Sequence, residues 1–156
     1  MPLTSTKYLG IIVDQNLNWK AQQVHMVGKG INWAAQIKRL ARPSWGITPK
    51  YARRLFISIA LPQILYTADV WCLAERGERS RTSKIGPTKA LDSIVTIQRA
   101  SALAITGGLR MSATDSLNTH AHLLPTMLTV RKWCHHALTR IAMLPKEHPL
   151  HKIISN

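Results

Sequence analysis

Apolar positions follow two rhythms along this chain: one short continuous run at its head and a helical spacing through nearly all the rest. The run Tyr8-Leu9-Gly10-Ile11-Ile12-Val13 closes on β-branched residues, which predicts a buried strand. Asp14-Gln15-Asn16 then predicts a turn, because short polar side chains compete there for backbone hydrogen bonds. Little else reads as strand, so this one lacks an evident sheet.

Residues 19–42 read as a helix. Val24, Val27, Ile31, Ala34 and Ala41 recur at spacings of three, four or seven, while Lys20, Lys29, Lys38, Arg39 and Arg42 hold polar positions. Gly28 and Gly30 weaken that helix and mark either a kink or close packing. Pro43-Ser44-Trp45-Gly46 stops it. Thr48-Pro49 starts the next, with Thr as N-cap and Pro in the first helical position. Ala52, Leu55, Phe56 and Ile59 form its inner stripe, and Lys50, Arg53 and Arg54 share the opposite side. Pro62 predicts an interruption, after which Gln63–Cys72 resumes as a mostly buried helical segment.

Residues 75–88 read as a loop in which Gly, Ser, Thr and Pro mix with Arg76, Arg79, Arg81 and Lys84. A further helix runs from about Lys89 to Ile105, with Leu91, Ile94, Val95, Ala102 and Ile105 on one face and Gly107-Gly108 as its C-cap. A short helix near residues 114–121 follows. A last one opens at Pro125-Thr126, carries Leu128, Trp133, Cys134, Ala137, Leu138 and Ile141, and ends at Pro145. The expected fold is mainly α, a bundle of four to five helices preceded by a short β-strand or hairpin. Its expected divisions are a β segment at 1–18, a helical body at 19–144 and a tail at 145–156.

Composition supports a folded chain and adds one unusual feature. At 156 residues, 46% hydrophobic and 18% charged, the chain is long enough for one domain with a core. Twenty-one Lys and Arg face seven Asp and Glu, for a net charge of +14. Such self-repulsion opposes compaction and points to a polyanionic partner, nucleic acid first and an anionic membrane surface second. The basic residues are spread along the sequence, so the folded body itself is cationic rather than a detachable arm. Cys72 and Cys134 form no CxxC pair, which reads as a reduced, intracellular chain without a disulfide framework. No apolar run reaches membrane-spanning length, and the start shows no secretion signal. A strand so close to Met1 reads as a truncated N-terminus.

Catalytic chemistry finds little purchase. Tyr66-Thr67-Ala68-Asp69 superficially matches a polymerase Tyr-x-Asp-Asp turn, but Val70 stands where the second carboxylate would hold metal. Asp69 therefore reads as an ordinary helix-end or hydrogen-bonding residue. Gly107-Gly108 lacks the context of a phosphate-binding loop. His120, His122, Cys134, His135 and His136 could be drawn together as zinc ligands. Neighbouring His135 and His136 point apart on a helix, however, and solvated histidines with a core cysteine account for the same residues. Basic residues are better organised. Lys38, Arg39, Arg42, Lys50, Arg53 and Arg54 flank one turn and form a corner able to track phosphates, with Trp45 there either to stack or to pack the turn. Arg76, Arg79, Arg81 and Lys84 add a basic loop suited to backbone contacts.

Several short stretches, taken in order, resemble one family. Lys7-Tyr8-Leu9-Gly10 with Asp14, Leu17 and Trp19, then Leu61-Pro62 with Tyr66 and Val70-Trp71, then Ile97-Gln98-Arg99 with Ile105-Thr106-Gly107, and finally Ser116-Leu117 with Leu123-Leu124-Pro125 run in register with it. Over roughly residues 7–145 the chain resembles the C-terminal part of a non-LTR (LINE-type) retrotransposon reverse transcriptase, the region behind the palm. That resemblance implies a helical thumb and connection that holds a template–primer duplex. It would put Lys7, Leu9 and Gly10 at the primer grip and turn the basic corner toward duplex phosphates. Leu9 could equally be strand core and Gly10 a bulge. The fingers, the palm aspartates and the endonuclease of that family have no counterpart here. The expectation is thus a non-catalytic binder of RNA/DNA hybrid or duplex backbone, nuclear if functional, without a small-molecule substrate or a membrane. It would need no cofactor of its own, with Mg²⁺ entering only if a separate reverse-transcriptase palm is supplied. A standalone helix-turn-helix DNA-binding regulator, and an element remnant with no selected function, stay open beside it.

Overall fold

The computed structural model describes residues 5–17, 19–42, 45–71, 87–145 and 147–148, and of Trp71 and residues 87–90 only the backbone. Its head is a hairpin. Strands β1 (Ser5–Tyr8) and β2 (Ile11–Asp14) pair antiparallel, with Tyr8 opposite Ile11 and Ser5 opposite Asp14. The continuous strand expected over Tyr8–Val13 is therefore corrected: Leu9 and Gly10, at φ 46° and 85°, form the two-residue turn between strands. Two consecutive positive φ values match the right-handed twist of the flanking strands, and Gly supplies the second at no steric cost. Nor is the hairpin buried, since β1 is exposed throughout and β2 half-buried. Asp14 begins the expected turn by accepting the Leu17 amide at 2.9 Å.

The rest of the described chain is helical. Helix α1 spans Lys20–Leu40, α2 Pro49–Leu55, α3 Leu61–Ile64, α4 Ala68–Trp71, α5 Pro87–Thr106, α6 Thr114–His120 and α7 Thr126–Ala142. This is the expected bundle behind a hairpin. Its centre is α5, which packs against α1, α2, α6 and α7. The core runs from Met26 and Ile37 through Phe56, Ile64 and Leu65 to Ile94, Ile97 and Ile105, closing on Leu117, Leu123 and Val130.

Helix α1 buries the expected face only in part: Val27, Ala34 and Ala41 pack against the core as expected, but the helix is turned about its axis. Val24 and Ile31 point to solvent, whereas Gln22, Met26, Gly30 and Ile37 are buried. Two long-range partners turn the helix this way. At Gly30 the missing side chain admits Ile97 of α5, whose Cδ1 lies 2.4 Å from where a Cβ would sit. Gln22 is drawn inward by the Ile12 amide, which donates to its Oε1 at 3.0 Å, and by Thr67 Oγ1, which accepts from its Nε2 at 3.3 Å.

Pro62 does not interrupt its helix. A π-turn over Phe56–Ala60 joins α2 to α3 in one rod, with the Leu61 amide bonding to the Phe56 carbonyl. The wider turn keeps Ala52, Phe56, Ala60 and Ile64 facing the core at spacings of four, where an α-helix would drift by about 40° per step. Ile59, expected inside, consequently faces out. The break falls later: Leu65 leaves helical geometry and Thr67 takes φ 63°, so the helix expected over Gln63–Cys72 is two short pieces. Val95 and Leu128 also face solvent, because Ile97 with Gln98 and Val130 with Thr126 occupy the inner positions of α5 and α7. Helix α5 begins at Pro87, two residues inside the expected loop, and the rest of that loop lies outside the described residues. Gly107 at φ 65° caps α5, its amide returning to the Leu103 carbonyl at 3.0 Å.

Three stability measurements follow from α1. Gly30→Ala should cost about 1 kcal/mol, because overpacking against Ile97 at about 1–3 kcal/mol exceeds the helix-propensity gain. Gly28→Ala, with nothing within 4 Å of the new Cβ, should stabilise by about 0.5–1 kcal/mol in the same denaturant series. Half-buried His25 has its Nδ1 sealed without a partner among the described residues, and burial, then Lys29 and Lys7, hold its pKa below the ordinary 6.5. The folded state favours the neutral ring, so the associated stability is present above pH 6.5 and lost as pH falls below it. His25→Gln should flatten that part of the stability-against-pH curve; an unchanged slope would show that His25 does not carry it.

Candidate nucleic-acid interface

The basic side chains singled out in the sequence occupy three separate places. The first is the junction of α1 and α2. The junction is closed by bonds from the Ile47 amide to the Leu40 carbonyl at 2.9 Å and from the Gly46 amide to the Arg42 carbonyl at 2.8 Å. A Cβ at Gly46 would lie 2.1 Å from the Arg42 nitrogen, so only glycine fits that closure. Lys38, Arg39 and Arg42 are exposed around one shallow depression floored by Ala35 and Ala41. Trp45 stays 69% exposed rather than packing the turn, and the Arg42 guanidinium lies over its ring at 5.2 Å. That stack orients a cation and leaves an aromatic surface beside it.

The second place is the start of α2. Pro49 occupies its first turn and Thr48 is extended before it, though the Thr48 side chain makes no capping bond. Lys50 and Arg54 are exposed. Arg53, expected on the same open face, is half-buried: its Nε and Nη2 both donate to the His122 carbonyl, each at 3.0 Å. This ties α2 to the chain between α6 and α7, where His122 holds φ 50°. Lys50 and Arg53 share a cleft of about 640 Å³ with α5 and α6, while Arg54 lines none of the described cavities.

The third place is the hairpin, at the opposite end of α1. Gln22, its anchor, and Lys38 stand sixteen helical positions apart, about 24 Å. Lys7 is exposed on β1. Leu9 is 75% exposed at the tip, which excludes the strand-core reading, and Gly10 is a turn residue rather than a bulge. Tyr66 reaches across to them: its hydroxyl donates to the Leu9 carbonyl at 3.0 Å, and its ring approaches to 3.4 Å from where a Gly10 Cβ would sit. Arg79, Arg81 and Lys84 lie outside the described residues.

Other polar residues quoted from the sequence hold the frame together. Gln98, 2% exposed, gives both amide protons to Asn118 Oδ1 at 3.0 Å and the Leu124 carbonyl at 2.9 Å, and accepts from Thr126 Oγ1 at 2.8 Å. A fully satisfied buried amide joins α5 to α6 and to the start of α7. Arg99 donates to Thr114 Oγ1 and to the carbonyls of Arg110 and Ser112, fixing the loop before α6. His120, His122, His135 and His136 are exposed, and Cys134 is half-buried against the core. Among the described residues no group of three His, Cys, Asp or Glu side chains gathers as a metal site. Asp69, half-buried, sits in the first turn of α4. No described helix is long and apolar enough to cross a membrane.

Sequence reasoning missed Gln22, Tyr66 and Thr67 as a hairpin clamp, and Ser116, His120 and His122 as cleft residues beside Lys50. Glycine at the second of the two residues between Tyr8 and Ile11 was the one local signal for the hairpin turn. No family model matches the chain, and neither a curated protein nor a solved structure matches it.

Removing the clamp separates its parts. Gln22→Ala leaves the Ile12 amide unpaired and should cost about 1–3 kcal/mol, while Tyr66→Phe, losing one exposed hydrogen bond, should cost about 1 kcal/mol or less. Amide hydrogen exchange at Ile12 reads both. Protection that survives Gln22→Ala would mean the hairpin is held by its strands alone.

Proposed function

We propose that this chain is a non-catalytic binder of duplex or hybrid nucleic acid, derived from the thumb region of a LINE-type reverse transcriptase. The observation that carries the reading is the exposed cationic corner at the α1–α2 junction, borne on a folded body of net charge +14. Lys38, Arg39 and Arg42 present their charges to solvent there beside Trp45, and Lys50 and Arg54 do so at the start of the next helix. Such a set contacts phosphates and reads shape rather than base edges. The resemblance in sequence supplies the class of duplex, and Lys7 with the hairpin tip adds a second cationic point about 24 Å along α1.

The rival reading, a helix-turn-helix regulator, places two helices across a turn of three or four residues. Here residues 41–48 intervene between α1 and α2, and α1 makes its main contact with α5 instead. That geometry favours backbone binding over insertion of a recognition helix.

Five phosphate contacts would release counterions so that log K falls with log[salt] at a slope of about −4 to −5. Fluorescence anisotropy on an RNA/DNA hybrid between about 50 and 200 mM salt measures it. Lys38→Glu with Arg39→Glu should flatten the slope by about 2, equally for unrelated sequences. Binding that ignores salt, absence of binding at low salt, or one strongly preferred sequence would each sink the proposal.

A further inference from the structure

A cavity of about 640 Å³ lies apart from the corner depression, between the start of α2, the end of α5 and α6. That is the size of a small-molecule pocket, and large enough to take one nucleotide. Its floor is apolar, built from Ile105, Leu117 and Ala121, which are 3%, 3% and 2% exposed. Gly108 forms part of the wall because a Cβ there would meet Leu117 Cδ2 at 2.8 Å. Lys50 and Arg53 stand on one side, and His120 and His122 line it with them. Ser112 and Ser116 add hydroxyls, and no carboxylate lines it among the described residues.

Arg53 is held in place. Its Nε and Nη2 are spent on the His122 carbonyl, so the guanidinium is fixed at the wall with Nη1 unused among the described residues. A fixed guanidinium beside an exposed ammonium suits a phosphate, since both give charge-assisted hydrogen bonds and Arg loses little freedom on binding. An apolar floor next to them suits the face of a base.

We infer that this cleft binds one nucleoside monophosphate unit, its base over Ile105, Leu117 and Ala121 and its phosphate on Lys50 and Arg53. Two sources offer that chemistry: a free nucleotide, or the unpaired end of a nucleic-acid strand. Only the second rests on the nucleic-acid reading proposed above. Lys50 would then continue the line of phosphate contacts from the corner into the cleft.

Titration calorimetry on the full chain tests the cleft without a duplex. AMP should bind at least tenfold more tightly than either adenosine or inorganic phosphate alone, because only AMP engages both floor and cations. Lys50→Ala should bring AMP down to the level of adenosine. Ser116→Trp, a change at an exposed cleft-lining position of α6, should remove AMP binding while the melting temperature stays within a few degrees. If that variant fails to fold, Lys50→Ala still decides. AMP binding no tighter than phosphate, or unaffected by both substitutions, overturns the inference. A hybrid with a one-nucleotide overhang, compared with a blunt one, identifies the source. Tighter overhang binding that Ser116→Trp abolishes assigns the strand end, and equal binding of the two hybrids beside tight AMP binding assigns the free nucleotide. Loss of hybrid binding with AMP binding intact would refute the proposed function and leave the cleft standing.

Discussion

The approach of α1 to α5 at Gly30 sets the rest of the arrangement. Ile97 fills the space a side chain would need, which brings two helices of about 30 Å into their main contact and fixes the rotation of α1 about its own axis. Everything carried by α1 inherits that rotation. Gln22 is turned inward to hold the hairpin, Trp33 reaches Gln63 of α3 at 2.8 Å, and Lys38 and Arg39 are turned outward. Val24 and Ile31 are left in water as the cost of this choice.

Polar ties do what apolar packing alone would leave loose. Gln98 and Arg99, neighbours in sequence, point to different sides of α5, one satisfying a buried amide against α6 and α7, the other clasping two carbonyls before α6 and the hydroxyl of its first residue. Arg53 closes the ring by holding the His122 carbonyl. A cationic chain thus spends some of its charge on its own backbone, where each charged donor meets carbonyl dipoles rather than carboxylates. Of the cations left over, Lys38, Arg39, Lys50 and Arg54 are among those that face outward.

Helix ends were legible in the sequence, because Thr48-Pro49, Gly107-Gly108 and Pro125-Thr126 act through their own backbone. Helix faces were less so. Burying Gln22 depends on Ile12 and Thr67, and burying Gly30 depends on Ile97, none of which local spacing reveals. The same division holds at the interface. Lys38, Arg39 and Arg42 come together because they are close neighbours in sequence at the end of α1, whereas Arg53 is claimed by a carbonyl 69 residues away. Leu9 at the first turn position carries no turn signal, so one hairpin looked like one strand.

The π-turn at Phe56–Ala60 has a consequence for chain length. Closing a turn through an i→i+5 bond takes in one more residue than an α-turn does, and the rod still delivers Ile64 and Leu65 to the core beyond it. The extra residue is absorbed sideways, as a local widening, instead of being passed along the axis as a rotation of everything downstream. Slack of this kind makes the middle of the rod the place where a single-residue insertion or deletion is most readily accommodated. Pro62, sitting just past the widening, is carried by a helix already loosened where a missing amide matters most.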